Sequence, residues 1–415
     1  MLVKLFTAAV NGLDVRTVEV EVNISKGAKF SLVGLPDSAV RESYYRIKTA
    51  LHNSGFVLPT NQITINLAPA DIRKEGSGYD LPLSLGILAA QGAVDSNSLK
   101  RYMFVGELGL DGTLRPIRGA LPIAIHARAA KFDGLIVPEA NAREAAAVDT
   151  LKVYGARNLC EVADFLNGKA EMWPTEVNTR EEFYAHCMEY DADFADVRGQ
   201  DNVKRALEVA AAGGHNIILV GSPGCGKSMM AKRLPGILPP LSLSESLETT
   251  QIHSVAGILD GKTSLVTARP FRSPHHSTTA QAMAGGGRNP KPGEISLASY
   301  GTLFLDELTE FQPKILDLLR QPMEEGSITV SRLNQTVVFP AKTMIAAAMN
   351  PCKCGFFPDL GKCRCTPTQI RRYLNRVSGP FLDRIDIGVE VPRQDLGMMA
   401  AEKSIDEGSF PQTEQ

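Results

Sequence analysis

The sequence predicts an α/β protein in two parts, each a sheet layered with helices. Three observations carry that reading. Strand-like apolar runs alternate with longer helical stretches up to about residue 166. A polar stretch then interrupts the pattern, and the alternation resumes around a glycine-rich loop set between a buried strand and a helix. A length of 415 residues agrees, since single cores stop growing at roughly 250–300 residues. Hydrophobic residues at 44% and charged ones at 22% exclude a disordered, collagen-like or disulfide-dense chain. No apolar run approaches the ~18 residues of a membrane helix, and the opening MLVKLFTAAVNGL lacks a clear small-residue cleavage site. The expectation is a cytoplasmic protein with no membrane partner. With 44 Lys+Arg against 46 Asp+Glu the net charge is −2, so any nucleic-acid contact must come from local patches.

In chain order, residues 1–166 form the first domain. Val18–Val22, Gln62–Leu67 and Gly134–Val137 have strand character, while Ser38–Ser54, Leu81–Gln91 and Arg118–Ala130 have helical character. Residues 167–193 read as a polar linker with one short helix. Residues 194–393 form the second domain, with a helix at Gln200–Ala212 and strands at Asn216–Val220, Thr302–Leu305 and Thr343–Met349. Residues 394–415 read as a polar tail.

The clearest chemistry is Gly221-Ser222-Pro223-Gly224-Cys225-Gly226-Lys227-Ser228, a full match to the phosphate-binding loop pattern. Glycines let backbone N–H groups turn toward phosphates, and the helix that follows presents its positive end. Lys227 is expected to reach the β- and γ-phosphates of ATP, and the Ser228 hydroxyl to bind Mg²⁺. An acidic partner belongs on a neighbouring strand, and Thr302–Leu305 runs into Asp306-Glu307. Asp306 suits the Mg²⁺ shell; Glu307 suits positioning and polarising the attacking water.

Four of the seven cysteines, Cys352, Cys354, Cys363 and Cys365, lie in the loop 350–366. Gly355, Pro358 and Gly361 can fold that loop back so that the sulfurs converge, and four thiolates suit a structural Zn²⁺. Free thiols or an iron–sulfur cluster are the alternatives. Two stretches are locally basic. Lys353–Arg384 carries seven Lys/Arg against two Asp, and Arg269–Lys291 carries four Lys/Arg and two His with no acid. The pair His275-His276 reads as a hydrogen-bonded loop feature ahead of a metal site.

Four strings resemble one family closely, the YifB/ComM group of Mg-chelatase-like AAA+ ATPases. They are Val33-Gly-Leu-Pro-Asp-Ser-Ala-Val-Arg-Glu-Ser43, RPFRSPHHSTT (269–279), GEISLASYGTLFLDELTEF (293–311) and SGPFLDRIDIGVEVP (378–392). The resemblance implies an N-terminal Lon-protease-like (ribosomal-protein-like) α/β domain, then a P-loop AAA+ α/β/α domain with a helix-2 insert and a hairpin before sensor 1. It implies a homo-hexameric ring, and DNA branch migration or helicase work in natural transformation or recombination. Asn350 takes the sensor 1 place, an Asn-Pro turn being the alternative. Arg384 takes the arginine-finger place, reaching a neighbouring subunit's ATP, a surface ion pair with Asp383 or Asp386 being the alternative. Asp196-Val197-Arg198-Gly199-Gln200 resembles the segment near the adenine, which makes Val197 a candidate. The insert lies toward the ring pore, so Arg272, Arg288 and Lys291 become DNA-contact candidates, joined by Arg332 at the turn of a hairpin formed by Ser327–Ser331 and Thr336–Pro340. The basic stretch 353–384 divides evenly between that role and contacts to ATP or subunits.

The chain departs from a Lon protease where the chemistry would lie. Lys74-Glu-Gly-Ser-Gly-Tyr-Asp80 puts Gly78 at the nucleophile position, with Ser77 one residue away, and Leu121 stands where the activating Lys belongs. A non-proteolytic domain is expected. No helical lid with a sensor-2 Arg follows Pro392, so weak hydrolysis and unstable hexamers are expected of this chain. An ATP-dependent peptidase or protein-remodelling ATPase, a metal-chelatase motor subunit and a non-catalytic scaffold are the competing functions.

Overall fold

The computed structural model describes residues 2–186, 192–261, 263–287, 290–332 and 335–393. The chain forms two compact mixed α/β units, one of residues 1–183 with 250–266 and the other of 184–249 with 267–415.

In the first unit, β1 (Leu2–Asn11) and β2 (Asp14–Ser25) make an antiparallel hairpin. Its two-residue turn begins with Gly12 at φ 63°, the left-handed conformation a tight turn demands. Alternation in β2 buries Val18, Val20 and Val22 completely. The intervening Glu19 and Glu21 both pair with Lys4, at 2.6 and 2.8 Å. Further strands are β3 (Phe30–Val33), β4 (Gln62–Ala68) and β5 (Tyr102–Phe104), then β8 (Gly134–Pro138) and β9 (Lys152–Ala156); β6 (Glu107–Leu108) and β7 (Leu114–Arg115) form a small separate hairpin. The main sheet runs β3-β4-β2-β1-β5-β8-β9. Helix Ser38–Asn53 starts at Asp37, whose carboxylate accepts the Val40 N–H at 2.8 Å. Helix Asp80–Ala90, buried along its whole length but for Ala90, packs on β1 and β2.

The stretch expected as a linker begins as part of this unit. Thr175 N–H donates to the Val153 carbonyl at 2.7 Å, Thr179 Oγ1 to the Ala147 carbonyl at 3.2 Å, and Arg143 pairs with Glu182 at 2.6 Å. The short helix is Thr179–His186. Residues 250–266 return to the same unit, where the Ser254 carbonyl accepts the Gly119 N–H at 3.1 Å and the Ser254 hydroxyl donates to Glu144.

The second unit is built on an all-parallel sheet of β10 (Ile217–Gly221), β11 (Phe271–Arg272), β14 (Thr302–Leu305), β17 (Met344–Met349) and β18 (Ile387–Val391), in the order β11-β14-β17-β10-β18. Every residue of β14 and β17 is buried, as strands covered on both faces must be. Small additions are β12 (Gly285–Gly286) with β13 (Lys291–Pro292), and β15 (Ser327–Arg332) with β16 (Gln335–Pro340). Parallel order sets the C-terminal ends of β14, β17 and β10 side by side, where open α/β sheets bind ligands. Arg288, the turn at 333–334 and the tail 394–415 lie outside the described residues. Among the described residues, no helix is long and apolar enough to cross a membrane.

Candidate nucleotide site

Residues 221–228 make the turn from β10 into helix Lys227–Ala231. Gly224 and Gly226 adopt φ of 78° and 94°, open to glycine at no steric cost. The Lys227 side chain is buried, and its Nζ donates to the carbonyls of Gly221 (2.7 Å) and Ser222 (3.0 Å) and to Asn350 Oδ1 (3.2 Å). All three are neutral oxygens. A buried ammonium held this way is electrostatically incomplete, and an anion in the adjoining crevice completes it.

Across the crevice, Ser228 Oγ donates to Asp306 Oδ2 at 2.6 Å, and Asp306 Oδ1 accepts the Glu307 N–H at 2.9 Å. A hydroxyl and a carboxylate this close offer adjacent oxygens to one hard cation. Glu307 sits at φ 50°, ψ 49°, a left-handed conformation that costs a non-glycine residue energy and is found where a site over-determines the backbone. Its side chain is 61% exposed. Pro223–Met229, Asp306, Glu307 and Ala348–Asn350 line a crevice of about 410 Å³. Lys227, Ser228, Asp306, Glu307 and Asn350 therefore converge.

Other expected residues stand elsewhere. Val197 is 2% exposed and packs in the core of this unit with Phe194, Val203 and Leu207; beside it, Gln200 donates to the Pro392 carbonyl at 2.8 Å. Arg384 pairs with Glu324, not with either flanking aspartate, and donates to the Pro380 carbonyl. Arg272 is bound to both oxygens of Glu294 (2.7 and 2.8 Å), which raises its pKa and neutralises its charge locally. Lys291 is exposed. Arg332 ends β15, and its side chain, like Arg288, lies outside the described residues.

The four clustered cysteines have sulfurs all within 4.8 Å of one another. Cys352–Cys354, Cys354–Cys363 and Cys352–Cys363 are separated by 3.3, 3.6 and 3.8 Å. A tetrahedral ion with Zn–S bonds of ~2.3 Å has sulfur–sulfur edges of roughly 3.8 Å, so the cradle fits zinc. Backbone N–H groups converge on the sulfurs. Phe357 donates to Cys352 Sγ at 3.4 Å, and those of Phe356 and Arg364 lower the Cys354 thiol to about 6. This knuckle abuts the phosphate loop, for a Cβ on Gly355 (φ 83°) would lie 2.4 Å from Pro223 Cδ.

One neighbour escaped the sequence reading. His275 is a loop feature as expected, its Nδ1 2.8 Å from Ser277 Oγ, but His276 Nδ1 lies 3.3 Å from Glu307 Oε2. The available signal was position, four residues beyond the strand that flanks β14.

The comparisons agree with this geometry. The family model "Magnesium chelatase, subunit ChlI" matches residues 193–399, and "Subunit ChlI of Mg-chelatase" matches residues 20–141. Competence protein ComM of Haemophilus influenzae is 44% identical over 391 residues, 94% of this chain and 76% of that protein. YifB of Escherichia coli is 44% identical over 398 residues, 95% of this chain and 76% of that protein. The magnesium-chelatase 38 kDa subunit of Cereibacter sphaeroides is 23% identical over 177 residues, 38% of this chain and 52% of that protein. A P-loop crevice completed by Asp306, Glu307 and Asn350, with identity of this extent, places the chain in the YifB/ComM family of Mg-chelatase-like AAA+ proteins, a family whose fold implies ATP and Mg²⁺.

Proposed function

We propose that this protein is a DNA-directed AAA+ motor that hydrolyses ATP at the interfaces of a homo-hexameric ring and drives branch migration or unwinding during transformation or recombination. The observation that carries the reading is the opposition of Lys227, held among neutral oxygens, to the Ser228–Asp306 pair across one crevice. Lys227 and the loop N–H groups bind the phosphates, and Ser228 with Asp306 hold the cation. Magnesium, when bound, neutralises charge on the phosphates. Glu307 orients the water, Asn350 senses the terminal phosphate, and the segment around Val197 borders the base. Arg384 completes a neighbouring subunit's site once released from Glu324. The printed name of the Haemophilus relative, a competence protein, supports the transformation setting.

Residues 1–166 serve as a Lon-like domain without peptidase activity, 167–193 as a linker and 194–393 as the ATPase core. Gly78 and Leu121 at the two protease positions, and the Ser77 hydroxyl tied to Glu107, favour that reading. Lys291, with Arg272, Arg288 and Arg332, contacts DNA phosphates without sequence preference. Cys352, Cys354, Cys363 and Cys365 hold one structural zinc, which steadies the knuckle against Pro223.

ATP turnover with and without forked or four-way DNA tests the motor. Stimulation, lost in Glu307→Gln, is expected; turnover that ignores DNA overturns the DNA reading and leaves the ATPase standing. Metal analysis tests the knuckle: one zinc per chain, lost in Cys354→Ser with weakened nucleotide binding, is expected. Zinc-free protein with normal turnover overturns it.

A further inference from the structure

We infer that the cysteine knuckle carries a groove for unpaired DNA, which stacks a base on Phe357 and holds the flanking phosphates on Lys353, Arg364, Arg371 and Arg372. The inference deepens the proposed DNA reading and rests on it. A second crevice, about 740 Å³ in volume, opens beside the phosphate loop. Its size is that of an ordinary ligand site. Phe356, Phe357 and Pro358 of the knuckle form part of its wall, and Val389, Val391 and Pro392 at the end of the edge strand β18 form another part. It shares no lining residue with the nucleotide crevice, although Ser222 and Pro351 in its wall directly adjoin Pro223 and Asn350 of the other. Phe357 remains 40% exposed there, an aromatic face left to solvent.

Charge divides the surface in two. Within the groove it cancels, Lys362 and Arg393 standing against Asp359 and Glu390, so the lining suits the uncharged face of a base. Around the groove it does not cancel. Of the seven Lys/Arg between 353 and 384, Lys362 pairs with Asp359 at 3.3 Å, Arg376 with Glu310 at 2.9 Å, and Arg384 with Glu324. The other four, Lys353, Arg364, Arg371 and Arg372, are exposed, and among the described residues none has an acidic partner. The fold gathers them near the rings. Lys353 lies between two of the clustered cysteines, and the N–H groups of Phe356 and Arg364 both donate to Cys354 Sγ. Helix Pro367–Leu374 follows at once, capped by Thr366; Tyr373 turns inward to accept from Thr309 Oγ1 at 2.8 Å, while Arg371 and Arg372 stay outside. An exposed ring among unpaired cations is the pattern of a single-strand surface, because every base has an apolar face and pairing in a duplex hides it. An acidic protein segment would answer the cations and leave the ring unused.

Fluorescence anisotropy of a labelled oligothymidylate, and of a duplex of equal length, across a salt series tests this. Phe357→Ala weakens single-strand binding about 5- to 100-fold, the worth of one stacked base, with the salt slope unchanged. Phe357→Trp keeps the affinity, and duplex binding is the same in all three proteins. Arg371→Ala with Arg372→Ala acts on the other half: affinity falls, and the slope of log K against log salt becomes shallower by about 1.4, at ~0.7 for each single-strand phosphate contact. None of these side chains is a clustered cysteine or lines the nucleotide crevice, so nucleotide affinity without DNA holds throughout. Single-strand affinity that Phe357→Ala leaves intact, a loss shared equally by the duplex, or a loss of nucleotide affinity in its place overturns the inference and leaves the DNA reading standing. Unaltered protein that binds neither DNA overturns both.

Discussion

Two lysines, one in each unit, are both buried and both donate to backbone carbonyl oxygen, yet they stand for opposite outcomes. Lys74 in the first unit is fully buried, and its Nζ donates to the Pro69 carbonyl. Burial pushes its pKa down. The polar groups near it in sequence are taken by distant side chains: Ser77 donates to Glu107, and Asp80, fully buried, takes Arg46 at 2.6 and 2.9 Å. Lys227 in the second unit is nearly as buried, but it faces a crevice, and a serine, two carboxylates and an amide converge on the same opening. Burial of a charge does not mark a site. Convergence on an opening at the ends of parallel strands does.

The largest test of that contrast removes the chemistry and keeps the cradle. Glu307→Gln should lower turnover by about 10²–10⁴-fold, the span attributed to a positioned general base, with nucleotide affinity retained. Fluorescent-nucleotide titration beside a phosphate-release assay reads both. Lys227→Ala should weaken nucleotide binding and turnover by about 10²–10³-fold with little change in the melting transition. Lys74→Ala should do the reverse, costing about 2–4 kcal/mol of stability through a cavity while the folded protein binds nucleotide normally. If Lys74→Ala abolished nucleotide binding in folded protein, the two lysines would not serve separate ends.

The next effect down belongs to the first unit alone. Arg46→Ala leaves Asp80 buried beside the Leu108 N–H at 3.3 Å without a cation, and a broken buried pair of this kind costs about 3–5 kcal/mol. Burial pushes the Asp80 carboxyl up against the pull of Arg46, so part of that loss returns when the acid is protonated. Denaturant melts of Arg46→Ala and of Arg46→Met with Asp80→Asn separate the terms; the double variant should recover most of the loss. Asp306→Asn in the second unit, by contrast, should leave stability nearly untouched and weaken magnesium-dependent binding.

How much of this was legible in the sequence follows from the range over which each feature is encoded. The phosphate loop is local: Gly224 and Gly226 adopt the left-handed backbone that their residue type foretells, and the helix begins at Lys227. The cysteine cradle is nearly as local, its turns set by Gly355 and Gly361 within one loop. Asp306 and Asn350 were legible because apolar strands bury themselves, and parallel order then brings their ends together. Side-chain partners across long separations were not. Arg384 finds Glu324, 60 positions away, and His276 meets Glu307; each choice depends on packing that no periodicity encodes. The return of residues 250–266 to the first unit is the extreme case, since Ser254, in the helix Leu243–Ala256, gives no sign that it will meet Glu144, at a separation of 110.

That meeting yields the smallest effect and the one most specific to the first unit. Glu144 is 4% exposed, and its carboxylate accepts the Leu121 N–H at 3.0 Å and the Ser254 hydroxyl, with Asn141 Nδ2 3.4 Å away. Those partners are neutral, so burial dominates and raises its pKa above the ordinary carboxyl value. The folded state therefore holds the proton to higher pH than the unfolded state does. Where the native state binds more protons, stability falls as pH rises, beginning near the unfolded value of about 4.3 and ending above the folded one. Glu144→Gln keeps an oxygen for the Leu121 N–H and removes the titration. Its stability should match the unaltered protein at the acid end of that window and exceed it at about pH 8. Melts across the window decide the matter: parallel pH profiles for the two proteins would mean that Glu144 ionises as freely in the fold as in the open chain.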